Sequence, residues 1–231
     1  MPGERKGAGK PAMNQAKIVV TNNGPYVVSG GVPLAEQSIR IDEEGDSHGW
    51  REGRQFPLRQ TYALCRCGHS LNPPFCDGSH LRSDFDGRET AAREPFQQQA
   101  DLLEGPGLDL ADAPAFCARA RFCHRAGGTW NLTEQSHDPE ARRIAIEEAQ
   151  DCPSGRLVAM KKDGDALEPE LEPSIGVTYD PQLGERGPLW VRGGVQIVAA
   201  DGAPYERRNR VTLCRCGKSH NKPFRDGSHQ G

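Results

Sequence analysis

An α+β fold is expected for this chain, with two small mainly-β repeats on either side of a helix-bearing insert. Three observations lead there. Blocks near the N-terminus return near the C-terminus: Gly24-Pro-Tyr-Val-Val-Ser-Gly-Gly-Val32 as Gly187-Pro-Leu-Trp-Val-Arg-Gly-Gly-Val195, and Tyr62-Ala-Leu-Cys-Arg-Cys-Gly68 as Val211-Thr-Leu-Cys-Arg-Cys-Gly217. The returning blocks are short β-branched runs bounded by turn formers. Between them, Ala141, Ile144, Ala145 and Ala149 recur at helical spacing.

The composition suits small modules. The 231 residues are 35% hydrophobic and 6% aromatic, with 27 Gly and 18 Pro. A large continuous core is not expected, and small modules need staples such as metals. A net charge of −3 gives no overall drive toward nucleic acid or anionic membranes. No stretch approaches the roughly 18–20 apolar residues of a membrane span. Met1–Ala16 is basic and Gly/Pro-rich without an apolar stretch. It reads as a flexible tail rather than a secretory signal.

In the first repeat, Lys17–Thr21, Pro25–Val28, Gln37–Ile41 and Gln60–Leu64 are expected strands, and the last leads into a cysteine-rich loop. In the second repeat the strands are Leu189–Val191, Val195–Ala199 and Arg210–Leu213. The offset between copies is 163 residues at Gly24/Gly187 and 149 at Cys65/Cys214, so the first copy carries 14 extra residues, placed in a loop around Asp42–Arg54. In the insert, Asp138-Pro139 opens a helix that ends near Asp151, ahead of Pro153. A short helix is expected near Asp112-Ala-Pro114, and Lys161–Pro173 reads as an acidic linker. The division is a tail at 1–16, a first repeat at 17–100, an insert with its linker at 101–170, and a second repeat at 171–231.

The cysteines carry the chemistry. All eight fall in three groups, at 65/67/76, 117/123/152 and 214/216. Thiols grouped beside histidines favour metal ligation in a reducing compartment over a disulfide scaffold, so the protein is read as cytoplasmic. Residues two apart in an extended chain point the same way, so Cys65 and Cys67 can share a metal. Pro73-Pro74 then turns the chain back. Cys76 and His80 can share a face of a helical turn that Asp77 caps, with Gly78 letting the backbone approach the metal. Two ligands on each side suit a two-iron core. Three cysteines and one histidine are also a structural zinc set. His69 reads as a solvated loop residue.

The run Cys65-x-Cys67-x2-Ser70-x3-Pro74-x-Cys76-Asp77-Gly78-Ser79-His80 resembles the signature of the CDGSH iron–sulfur proteins, the mitoNEET-like family. The resemblance implies a [2Fe–2S] cluster on Cys65, Cys67, Cys76 and His80, with His80 near solvent. It also implies a small β fold in which two motifs pair. Here the pairing would be between the repeats of one chain, giving an intrachain pseudo-dimer and a monomer. With three thiolates and one neutral imidazole the oxidised cluster carries −1, against −2 for four thiolates. The potential should therefore lie above that of an all-cysteine cluster. A protonatable imidazole should make potential and cluster retention depend on pH.

In the second copy Cys214, Cys216 and His229 match three ligands, and Arg225 stands in the place of Cys76. Arginine stays protonated and offers no lone pair. The site is then empty and kept as a structural partner, or completed by another group such as His220, or Arg225 is a peculiarity of this sequence.

Cys117-x5-Cys123 and Cys152-Pro153 form the third group. Residues six apart fall on different helix faces, so the stretch between Cys117 and Cys123 must be a loop. Phe116–Val158 resembles the divergent, mono-cluster ferredoxin-type domain that accompanies CDGSH repeats, which makes the insert a ferredoxin-like α/β module. Three cysteines suit a [3Fe–4S] cluster, or a [4Fe–4S] cluster with a further ligand. His124 is adjacent but poorly aimed, and buried thiols without a cluster are the alternative, ranked behind a cluster. Trp130 and Phe122 read as core.

No catalytic constellation competes. Gly30-Gly31 and Gly193-Gly194 lack a following helix and lysine, and Ser154 lacks a nucleophile-elbow context. The expected function is an electron or cluster carrier, not an enzyme, with redox or apo-acceptor protein partners and neither nucleic acid nor membrane. The alternatives are a zinc-binding interaction module and a small multi-cluster oxidoreductase component.

Overall fold

The protein is described by a computed structural model over residues 16–228. The rest of the expected tail and the candidate ligand His229 lie outside the described residues. The first repeat forms β1 (Lys17–Val20), β2 (Tyr26–Ser29), β3 (Leu34–Ile41), β4 (Ser47–Gln55) and β5 (Thr61–Leu64). A short α1 (Phe96–Gln99) leads to the insert, with β6 (Asp101–Glu104), β7 (Asp109–Asp112), α2 (Thr129–Glu134), α3 (Pro139–Asp151) and β8 (Leu157–Met160). The second repeat forms β9 (Ser174–Asp180), β10 (Glu185–Arg192), β11 (Gln196–Val198) and β12 (Arg210–Leu213). No helix among the described residues is long and apolar enough to cross a membrane.

The two repeats exchange strands. One sheet has the order β11-β1-β2-β5 and the other β12-β10-β9-β3-β4. By the repeat offset, β2 matches β10, β5 matches β12, and β3 matches β11. Each copy's third strand therefore leaves its own sheet and runs parallel to the first strand of the other copy. Lys17 pairs with Gln196 on one side, and Leu34 pairs with Ile175 on the other. Pairing within the chain, as the resemblance implies, takes the form of this exchange.

Alternation along β1 and β2 puts Ile18, Val20, Tyr26 and Val28 inward. They join Ile175, Leu189, Val191, Ile197 and Leu213 of the second copy in one core. Each such side chain, fully buried, contributes about 1.5–3 kcal/mol. The insert has its own smaller core, where Leu108, Leu110, Leu132, Leu157 and the alanine stripe of α3 meet.

Three expectations need correction. The 14 extra residues of the first copy are not only a loop: they include β4, an edge strand paired antiparallel with β3. The segment after Pro173 begins at once with β9, which pairs with both β10 and β3. The short helix expected near residue 112 is a 3-10 turn at Pro114–Phe116. The expected helix start holds, with Asp138 Oδ1 accepting the Glu140 N–H at 3.1 Å.

Candidate metal centres

At the first site the chain makes a hairpin that sets its donors in two pairs. β5 runs into Cys65, whose N–H donates to Pro74 O at 2.9 Å, while the Cys76 N–H donates to Ala63 O at 3.0 Å. The Cys65 and Cys67 sulfurs lie 3.6 Å apart in the buried half of the site. Cys76 Sγ and His80 Nδ1 lie 3.4 Å apart on the half-buried side. A tetrahedral metal with bonds of about 2.3 Å to sulfur sets neighbouring sulfurs roughly 3.8 Å apart, so each pair is spaced to share one metal. Among the described residues no three His, Cys, Asp or Glu side chains are gathered for a single metal ion. Two donor pairs, each spaced to share one metal, fit a two-metal core.

The turn between the pairs is rigid. Asp77 accepts the Leu71 N–H at 2.8 Å and the Ser79 N–H at 3.0 Å. These bonds to the charged form pull its carboxyl down to about 2. Ser70 Oγ donates to Phe75 O at 2.6 Å. Gly78 takes φ 86°, a conformation glycine adopts without strain, at the start of the 3-10 turn Ser79–Arg82. A side-chain carbon there would meet no protein atom within 4 Å, so it is the positive φ that calls for glycine. Arg66, between the two inner cysteines, points away and donates to the carbonyls of Thr21, Gly24 and Gly87. His69 is exposed, as expected, and its N–H reaches Cys67 Sγ at 3.4 Å.

The second site repeats this scaffold bond for bond. Cys214 N–H donates to Pro223 O and Arg225 N–H to Thr212 O, both at 2.9 Å. Ser219 Oγ donates to Phe224 O at 2.6 Å, and Asp226 accepts the N–H groups of His220 and Ser228. Cys214 and Cys216 again lie 3.6 Å apart. Arg225 is buried at 5% exposure, with Nη1 3.8 Å from Cys216 Sγ. The position that carries a thiol in the first copy thus carries a guanidinium. His220 is exposed beside Asp226, its Nδ1 3.9 Å from the carboxylate. The two ligand loops touch, because Cys67 and Cys216 form an antiparallel bridge. A side-chain carbon on Gly68 would come within 3.0 Å of Cys216 Cα.

The third group also converges. Cys117, Cys123 and Cys152 line one cavity of about 340 Å³, with His124 and Arg156 on its wall. The stretch from Cys117 to Cys123 is a loop, as the spacing requires, with left-handed backbone at Arg119 (φ 57°) and Arg121 (φ 62°). Cys152 ends α3. Burial, and then the charges of Cys152 and Cys117, push the Cys123 thiol up to about 12. Arg156 is anchored on Asp112 at 2.6 and 2.9 Å. His124, set aside on sequence grounds, is at the cavity, although its adjacency to Cys123 carried no signal of aim. Phe122 is core, stacked 5.2 Å from Trp50, which in turn lies 4.8 Å from Trp190. Trp130 is half-buried, its Nε1 donating to Asp112 at 3.1 Å.

Thiol-rich donor sets on a duplicated β scaffold, with a small cysteine-lined module between the copies, define an iron–sulfur protein. Comparison with protein families agrees. A profile described as an iron-binding zinc finger of CDGSH type matches residues 23–81 and 186–230. One described as a divergent 4Fe-4S mono-cluster matches residues 103–162. The chain thus carries two CDGSH-type iron–sulfur segments flanking a divergent mono-cluster ferredoxin-like segment. Its cofactors are a [2Fe–2S] cluster and, in the middle segment, a cluster of the 4Fe–4S type. No curated protein and no solved structure gives a significant match to the chain.

Proposed function

We propose that the chain is an electron carrier whose exchangeable centre is a [2Fe–2S] cluster on Cys65, Cys67, Cys76 and His80. The pairing of donors carries this reading: a buried thiol pair at 3.6 Å and an outer thiol–imidazole pair at 3.4 Å. When bound, the cluster supplies a one-electron couple. The protein holds the inner pair away from water, leaves the His80 side reachable, and fixes the hairpin through Asp77 and Ser70. Cluster transfer to an apo-acceptor is the second reading, favoured by the half-buried outer pair. In the middle segment Cys117, Cys123 and Cys152 are the proposed ligands. In the second copy Cys214, Cys216 and His229 are the matching residues, and Arg225 makes that set incomplete.

The chain acts as a monomer in a reducing, cytoplasmic setting, in keeping with the absence of disulfides among the described residues. Anaerobic purification followed by iron, sulfide and zinc analysis tests the reading. The expected product is red-brown with acid-labile sulfide, and a colourless protein holding zinc would replace the carrier with an interaction module. The contact of the second copy with the middle segment supports a multi-cluster oxidoreductase component as a further reading. A redox titration that finds one centre only would eliminate it.

A further inference from the structure

The internal repeat allows one surface to be compared with itself. On the second copy the ligand hairpin is covered in part, at Asn221 and Gly227, by the ferredoxin-like segment. Asn221 Nδ2 donates to Ala115 O at 2.8 Å. A side-chain carbon at Gly227 would lie 2.8 Å from Arg119 and 3.1 Å from Cys117 O. On the first copy the equivalents, Asn72 and Gly78, are uncovered: Asn72 is exposed, and nothing lies within 4 Å of the Gly78 position.

At two positions the first copy carries exposed leucines where the sequence of the second copy carries polar residues. Leu71 is 88% exposed and Leu81, next to His80, is 81% exposed. Their counterparts in the second copy are His220 and Gln230. Asp77 holds the Leu71 backbone in place, so the leucine is presented on a preorganised loop and little ordering entropy is lost on contact. Beside it a cleft of about 420 Å³ reaches Cys76, lined by Arg54, Phe56, Arg59, Asn72 and Phe75. The Arg54 and Arg59 guanidinium carbons stand 4.9 and 5.5 Å from the Phe56 and Phe75 ring centres. Arg82 is a third exposed cation, and Asp77 and Asp84 are the acids of the same hairpin and turn. The segment that covers the equivalent face, residues 101–170, has 14 acidic against eight basic residues.

We infer that the face around Leu71, Leu81 and the Arg54–Arg59 cleft is the docking surface for an acidic protein of the ferredoxin type. The partner takes the place that the chain's own ferredoxin-like segment takes on the other copy. One electron passes from the partner's reduced cluster to the oxidised cluster of the first site; the partner is oxidised, the chain is reduced, and no bond is made or broken. This rests on the first site being a redox [2Fe–2S] centre.

The test uses the full, cluster-loaded chain and, as probe, an acidic mono-cluster [4Fe–4S] ferredoxin. Association and dissociation are followed by surface resonance, and electron transfer by stopped flow. Association should slow about tenfold or more between low salt and roughly 0.5 M salt. Reversing Arg54, Arg59 and Arg82 to Glu should slow association by a similar factor. Leu71→His with Leu81→Gln, which copies the covered repeat, should speed dissociation about tenfold with iron and sulfide unchanged. Arg142→Glu with Arg143→Glu, on α3, should change neither rate. No binding at low salt, or first-face variants that bind like the parent chain, would overturn the inference. Metal analysis without two irons and sulfide at the first site would instead overturn the proposed function, while the binding rates still report on the surface.

Discussion

Arg225 separates two sites that are otherwise alike. The backbone bonds that place Cys76 in the first copy place Arg225 in the second, so the guanidinium occupies a ligand position without disturbing the scaffold. Arg225→Cys should therefore fold as the parent does and gain close to two irons per chain. Unchanged iron content would mean that something other than the arginine keeps the site unloaded. At the first site, His80→Cys replaces a neutral donor by an anionic one. The potential should fall, and cluster loss on acidification from about pH 8 to 6 should lose its steepness, because the protonatable imidazole is gone. Equal pH sensitivity in both proteins, followed by visible absorbance and voltammetry, would remove the role given to His80. The candidate ligands were legible at this scale because local spacing determines which donors can pair. The place of His124 on the wall of the middle cavity was not legible, because no motif announces the left-handed backbone at Arg119 and Arg121 in the loop before it.

Among the elements, α3 links the insert to the second repeat. Buried Glu148 on this helix accepts from Thr129 Oγ1 at 2.6 Å and lies 3.8 Å from Arg125 Nε. Burial raises its carboxyl from 4.5 to about 7, against the opposing pull of Thr129 and Arg125. The folded chain thus keeps a proton that the unfolded chain releases near 4.5. That contribution is complete below pH 4.5 and is lost as pH rises through about 7. Urea midpoints should show Glu148→Gln gaining on the parent between pH 5 and 8; a constant difference would refute the assignment. At the end of α3, Arg210 of β12 donates to Cys152 O at 2.8 Å, Ala149 O at 2.9 Å and Leu157 O at 3.0 Å, and it pairs with Glu168. Arg210→Gln strands the partners of a buried cation and should cost about 3 kcal/mol or more. It should also deplete iron from the middle site ahead of the first, measured as iron lost per chain under chelation.

The α3 boundaries could be read from Asp138, Pro139 and Pro153, since capping is a local signal. The strand β4 could not: Ser-His-Gly-Trp-Arg-Glu-Gly-Arg-Gln has no apolar alternation, and it forms because β3 offers it an edge. In β9, Gly176 interrupts the apolar run. A side-chain carbon there would meet Gln37 Cγ at 2.7 Å, so the residue that obscures the strand in the sequence is what lets β3 cross beside it.

For the whole molecule the repeat was legible and the exchange was not, because parallel pairing between Lys17 and Gln196 joins residues far apart in the chain and leaves no local pattern. With each sheet built from both copies, neither repeat can melt alone. Thermal transitions followed by far-ultraviolet circular dichroism and by tryptophan fluorescence should coincide for the repeats, with Trp50 and Trp190 in the same stack. Two separated transitions would mean that the exchanged strands contribute little.

The strand exchange also changes how the protein responds to dilution. A site completed by a second polypeptide obeys mass action and comes apart as concentration falls. Here the two halves are held by one covalent chain, at an effective concentration that dilution cannot alter. Retention of the first-site cluster should then be the same at nanomolar as at micromolar protein.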